Sequence, residues 1–327
     1  MNLLDKFAAV EIKADNRISE ADRTFCVRRQ EAYNKANERL RELADLFHAM
    51  EADLVSIFGS DDDYSYRFIH NGSVVSSSDA ISTIHKNHRN FISGVTRYFA
   101  DTYSVKLDAD TIIEHLIPKT PKEPRYSYEF RRLSERTQEE AEEDRRKHSE
   151  YEESLEEYNN VLTHLSICYE AIIDEIFTQL GGFSFTEQAL NELKEKCYIA
   201  SHRRYYWNKT DETEDFEIKK DTLQITGYGC HYDGSWSTPR WEIPESTKDI
   251  LNGIAHYERG EFNYGCKLFP ALFGWRNEQN FFDFPLLDKV RSVKLFKNGR
   301  VDIKFVSAAA VNEFVNNYLR VKVGGVA

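Results

Sequence analysis

Asp302-Ile303-Lys304 has the spacing of the D-x-K end of a metal-dependent nuclease site. Such a site needs an acid on one strand and D/E-x-K on the next, so that two carboxylates hold the ion and the lysine assists the attacking water. Asp283 would be the earlier acid, but the run just before Asp302 offers Val293 and Leu295 where a carboxylate would help. Bases also crowd the stretch: Arg291, Lys294, Lys297, Arg300 and Lys304 stand against Asp302. The competing reading is a hairpin, two apolar-alternating runs joined by Asn298-Gly299. With a two-residue turn, Phe296 pairs with Val301, Leu295 with Asp302 and Lys294 with Ile303. Phe296, Val301, Ile303 and Phe305 then share a face with Lys294, while Asp302 and Lys304 take the other. The hairpin is the stronger reading, so no catalytic residue and no metal ligand is assigned.

Other candidates divide in the same way. His202-Arg203-Arg204-Tyr205-Tyr206-Trp207 interleaves cations with aromatic faces, the chemistry of base stacking and phosphate neutralisation. It reads equally as a strand with Tyr206 inside and the arginines paired to acids. The two basic clusters give one partner-binding set: Arg203, Arg204, Tyr205, Trp207, Lys294, Lys297 and Arg300. His85 and His88 have a helical i, i+3 spacing, and Cys230-His231 sits in a loop-like stretch. Neither pair has the companion ligands of a zinc site, so both histidines read as surface side chains. P-loop, G-x-G-x-x-G and G-x-S-x-G motifs do not occur, and no cofactor is expected. The five cysteines are odd in number and scattered, which reads as reduced thiols in a cytoplasm.

Composition sets the elements that must hold these residues. The chain has 327 residues, 41% hydrophobic, enough for a large core. It contains no apolar run of membrane-spanning length and no signal-like start, so no membrane role is expected. The formal net charge is −12, and its location matters more than its size. Residues 135–157 hold eleven acids against four bases, a net −7. An acidic chain does not gather phosphates, which disfavours nucleic acid as a partner and suits a basic protein surface. A solvated helix face is the commoner role for such a run.

In the first half Tyr33, Ala36, Leu40, Leu43, Phe47, Met50, Leu54 and Phe58 step by three and four, predicting a long helix. A small hairpin about Asn71-Gly72 follows, then a helix capped by Asp79 and a short helix stopped by Pro118, before the linker PKTPKEP. Residues 128–180 read as one very long helix or a helical pair whose first part projects into solvent. The second half alternates short β-like runs with helices at 186–199 and 247–259 and a last helix capped by Ser307. The fold class is α+β: a long-helix N-terminal half with an extended charged arm, and an antiparallel-sheet C-terminal domain. Its regions are 1–120, helical with a small hairpin; 121–180, the arm; and 181–327, the α+β domain. The arm has too few apolar residues for a private core. A homodimer burying Tyr126, Phe130, Leu133, Tyr151 and Leu155 would supply the missing burial.

The string LFKNGRVDIKF, followed by SAAAVNEFVNNYL, resembles the C-terminal signature of a domain of unknown function common in phages and mobile elements. That signature runs F-K-N-G-N-x-H-hydrophobic-x-F and then a Leu-Val-rich helix. The resemblance extends to residues 155–180, to GGFSF and to the helix around residues 33–47. Here Arg300 stands for the usual Asn, and Asp302 stands where His is frequent. The layout is also similar to phage anti-defence proteins of the Gabija-inhibitor type, with elongated arms and a compact C-terminal domain. The resemblance implies a non-enzymatic protein in the host cytoplasm that inhibits a nuclease–helicase defence complex by protein–protein binding. It transfers no functional residue. The alternative is a metal-dependent nuclease or a nucleic-acid-binding accessory protein of a DNA-modification system.

Overall fold

The apolar stripe around Tyr33 forms a helix, but the buried face is turned from the expected one. The computed structural model describes residues 17–58, 68–70, 73–126, 137–204, 212–226, 228–235, 240–274 and 277–322. Helix α1 spans Glu20–Phe58 and buries Cys26, Tyr33, Asn37, Ala44 and Phe47, whereas Ala36 and Leu43 face solvent. Ser19 caps it: Asp22 Oδ2 accepts from the Ser19 amide and hydroxyl, while the Asp22 amide donates to Ser19 Oγ. A two-stranded pair, β1 (Phe68–His70) and β2 (Ser73–Val75), has His70 opposite Ser73. Helix α2, Ser77–Tyr103, then buries Ile84, His88, Phe91, Ile92, Val95 and Phe99. Its cap is Ser76, and Asp79 is the reciprocal third-position acid rather than the cap.

Helix α3 is Ala109–Leu116, held by Asp108. The described residues of the 128–180 segment form a helical pair, α4 (Gln138–His164) and α5 (Tyr169–Gln179). Thr137 and Glu140 form a capping box on α4, and α5 buries Ile172, Ile173 and Ile176. The PKTPKEP stretch is not a free linker. Thr120 Oγ1 lies 3.0 Å from Tyr158 Oη and Tyr126 Oη 3.0 Å from His148 Nδ1, so this segment runs back along α4. Tyr126 is therefore buried against its own chain, and Tyr151 and Leu155 are half-buried. Phe130 and Leu133 lie outside the described residues. The chain divides into two compact units, residues 1–99 with 107–179, and 100–106 with 180–327. The acidic helix thus clusters with the N-terminal helices.

The second unit contains α6 (Phe185–Ser201), then three β-pairs' worth of short strands: β3 (His202–Arg204), β4 (Glu212–Glu214), β5 (Phe216–Lys219), β6 (Thr222–Ile225), β7 (His231–Asp233) and β8 (Arg240–Glu242). Helix α7 (Glu245–Arg259) and two single turns, α8 (Gly265–Leu268) and α9 (Pro270–Phe273), precede β9 (Phe281–Asp283), β10 (Val290–Leu295) and β11 (Val301–Phe305). The chain closes with α10 (Ala308–Phe314), which continues as a π turn, Val315–Leu319. Five strands form an antiparallel sheet in the order β5-β6-β11-β10-β9. This is the expected α+β arrangement.

Cross-strand rows define the two faces of the sheet. Ile218, Leu223, Ile303, Val293 and Phe282 lie in one row, and Phe216, Ile225, Val301 and Leu295 in the next; both belong to the core. Helices α6, α7 and α10 supply the other side of that core, with Leu193, Ile254 and Phe314 among its members. Gly253 is required where α7 meets α6, because a Cβ there would stand 2.4 Å from Cys197 Sγ.

The hairpin register differs from the two-residue-turn expectation by one position on one strand. The Phe296 amide donates to the Arg300 carbonyl and the Gly299 amide to the Phe296 carbonyl, with Gly299 at φ +86°. The loop therefore has three residues, a turn closed by a left-handed glycine. Leu295 pairs with Val301, Lys294 with Asp302 and Val293 with Ile303. Lys294 consequently leaves the apolar face and joins Asp302 and Lys304 on the outer one. This register predicts that Ile303→Ala lowers the unfolding free energy by about 2–5 kcal/mol in urea denaturation. Lys304→Ala should stay within about 0.5 kcal/mol of the parent. Equal losses would overturn the assignment of faces.

Candidate interaction surfaces

Several groups best suited to chemistry are used inside the two cores. His88 is fully buried, contrary to its expected surface position. Its Nε2–H donates to the Leu162 carbonyl at 2.8 Å, which leaves Nδ1 to accept from the Tyr33 hydroxyl at 2.8 Å. The Tyr33 oxygen in turn accepts from the Ile167 amide. Burial holds the imidazole pKa below its ordinary value, as it does for half-buried His85. Arg41 Nε donates to the Thr163 carbonyl at 2.7 Å, and Gln30 bonds both the Ile167 carbonyl and the Tyr169 amide. Carbonyls at the end of α4 and in the connection after it thus meet side-chain donors from α1 and α2, and Leu162 accepts from the Leu165 amide as well. The sequence carried the signal, since His88 continues the Ile84, Phe91, Ile92, Val95 face of α2.

Three of the five thiols follow the same pattern, whereas Cys168 and Cys266 are exposed. Burial pushes the Cys26 thiol up to about 12 and raises Cys197 and Cys230 as well, which makes these groups poor nucleophiles. The Cys230 sulfur donates to the Phe296 and Arg300 carbonyls at the base of the hairpin loop. Asp302 lies 3.0 Å from Arg300 Nε and accepts from Gln224 Nε2 at 3.1 Å. Asp283 is on β9 and Asp302 on β11, with β10 between them. Two strand spacings, about 9.5 Å, and a register offset of two residues separate them, too far for one shared ion. Among the described residues no group of three His, Cys, Asp or Glu side chains is placed to hold a metal.

Three of the expected partner-binding residues do gather at the hairpin tip. The Lys294 ammonium stands 5.1 Å from the Phe296 ring centroid and the Arg300 guanidinium 4.1 Å from the same centroid. Lys297 lies 4.8 Å from the Tyr232 ring. The chain entering β7 is clasped to this tip, its Cys230 amide donating to the Gly299 carbonyl. Arg300 has its charge answered by Asp302, so the tip is only weakly cationic. Arg203 and Arg204 are on β3, opposite Thr213 and Glu212, and are not placed with this cluster by the pairing. Tyr205 and Trp207 lie outside the described residues.

A second surface was not anticipated as a site. A groove of about 690 Å³ lies in the first unit between α1, the start of α2 and α4. Ala44 and Ile81 contribute apolar surface to it, and Asp45, Glu153, Glu156 and Glu157 bring carboxylates to its walls. The three glutamates fall at i, i+3 and i+4, hence on one face of α4. The acidic run is visible in the sequence, but the groove needs α1 and α2 beside it. That depends on partners far along the chain.

Comparison of the chain with protein-family models, curated proteins and solved structures returns no match. Among the described residues no helix is long and apolar enough to cross a membrane.

The buried histidines make stability depend on pH in a defined direction. A neutral His88 has a folded pKa below 6.5, so the unfolded chain binds the proton more readily. Its contribution is present above about pH 6.5 and is lost as the pH falls below that value. His256, also depressed by burial, acts in the same sense. Calorimetry should show the melting temperature falling between about pH 7 and pH 5. The fall should be smaller in His88→Gln. An unchanged pH slope in that variant would remove His88 as a cause.

Proposed function

We propose that this chain is a non-enzymatic interaction protein of phage or mobile-element type, acting in the host cytoplasm to inhibit a nuclease–helicase defence complex by binding it. The observation that carries this reading is a set of carboxylates around a concave surface that have no ion-pair partner among the described residues. It stands beside buried histidines and thiols that serve as structural groups. Support also comes from the resemblance of LFKNGRVDIKF and the helix after it to the phage and mobile-element domain.

Enzymes that handle DNA expose cationic surface for its backbone, and an acidic protein surface competes for the same groups. An inhibitor needs an interface of roughly 1,200–2,000 Å² for stable binding, which two structured units can provide. Self-association through α4 accompanies this reading, with Tyr151 and Leu155 as the half-buried residues available to it.

The alternative, a metal-dependent nuclease, is less well served by Asp283 and Asp302 on strands separated by β10. Mixed in equimolar amounts with a purified Gabija-like complex, the full chain should co-elute with it and reduce its DNA cleavage. Alone, the chain should cut no DNA in Mg²⁺ or Mn²⁺. Metal-dependent cleavage by the chain itself, lost in Asp302→Ala, would establish the nuclease instead.

A further inference from the structure

We infer that the groove between α1, α2 and α4 is a docking site for a Lys/Arg-bearing segment of a protein partner, with an apolar side chain of that segment resting on Ala44 and Ile81. This rests on the interaction reading above and names the surface and chemistry through which it would operate. A volume of about 690 Å³ admits several side chains of an inserted segment.

Charge decides the occupant. Three acids of α4 are answered within the helix: Glu143 pairs with Arg146 at 2.8 Å and Lys147 at 3.6 Å, Glu150 with Arg146 at 3.9 Å, and Glu152 with His148 at 3.1 Å. Glu153, Glu156 and Glu157 have no such partner among the described residues, nor has Asp45 across the groove. Arg41 also lines the groove, but its guanidinium bonds the Thr163 and Leu165 carbonyls. The C-terminal end of α4 adds the negative pole of its dipole beside Thr163 and His164. Like charges at i, i+3 and i+4 destabilise a helix, and folding alone does not require them there. A nucleic acid has the wrong sign for this wall. A metal ion lacks its ligand set, since no group of three suitable side chains is placed for one among the described residues. Ammonium and guanidinium groups around an apolar side chain fit both the walls and the floor.

The test uses the full chain and a fluorescein-labelled amphipathic peptide carrying Lys and Arg around Leu, with a Glu-for-Lys/Arg peptide as control. Anisotropy should show binding of the basic peptide only, weakening with added salt. Glu153→Lys with Glu157→Lys should reduce affinity by about tenfold or more. Glu142→Lys with Glu150→Lys, an equal change in net charge elsewhere on α4, should leave it nearly unchanged. Ile81→Arg, which places a cation on the apolar floor, should reproduce the loss, and circular dichroism of each variant reports its fold. Equal losses from the two glutamate pairs would mean general acidity and overturn the groove, as would no loss from the Glu153/Glu157 pair. A groove variant that still inhibits the defence complex as the parent does would also overturn the groove while leaving the interaction reading in place. Failure of the parent to bind that complex would instead strike the reading itself.

Discussion

The hydrogen bond from His88 Nε2 to the Leu162 carbonyl fixes where α4 ends within the first unit. A helix end buried without donors would leave carbonyls unpaired at a cost of about 1–3 kcal/mol each. Here the Leu165 amide caps Leu162 from within the chain, and donors from two other helices join it: His88 from α2 on Leu162, Arg41 from α1 on Thr163, and Gln30 from α1 on Ile167 in the connection. The imidazole must be neutral to serve, because one nitrogen donates to Leu162 while the other accepts from Tyr33. A charged ring would turn Nδ1 from the acceptor of the Tyr33 hydroxyl into a donor and place an ion in a site with no exposure. Such networks are costly when incomplete, so this one specifies a single arrangement of α1, α2 and the α4–α5 connection.

That arrangement also sets the groove. Arg41 and Thr163 are bonded to each other and both line it, so the wall from α1 and the wall from α4 are joined at one end. The carboxylates of Glu153, Glu156 and Glu157 are then held on a helix whose far end is anchored through buried polar contacts. A surface meant for recognition loses less conformational entropy on binding when it is positioned in advance. The buried His88 network and the acidic wall are in this sense parts of one arrangement of α1, α2 and α4.

Much of the architecture could be read from the sequence because it follows local periodicity. The long helices, the strand runs around Leu223, Val293 and Ile303 and the closing helix after Ser307 all carry three-and-four or alternating patterns. Misreadings arose where one position changes the outcome. Treating Asn298-Gly299 as the whole turn shifted the hairpin by one residue and moved Lys294 to the wrong face. On α1, Tyr33 and Phe47 of the apolar stripe are buried, but so is polar Asn37 while apolar Leu43 is exposed, so a stripe drawn by residue type runs partly off the buried face. Tyr126 found its burial against α4 through Pro-rich sequence that reads as a linker. The site was harder still, since the acidic run is local but its groove is built by residues more than a hundred positions apart.

The hairpin shows why the corrected register bears on function. Once Lys294 and Asp302 share the outer face, the D-x-K triplet no longer stands apart from the basic cluster; it is part of it. Arg300 lies against Asp302, and Gln224 donates to the same carboxylate from the neighbouring strand. A carboxylate held by a guanidinium and an amide is poorly suited to take up a divalent ion, which would have to displace both and still lack a second acid within reach. Lys304 is 3.9 Å from Asp221, a surface ion pair of small energetic weight, and is not poised against a metal-bound water. The residues that first suggested nucleic-acid chemistry therefore work mainly on each other, organising the outer face of a sheet whose inner face is the core of the second unit.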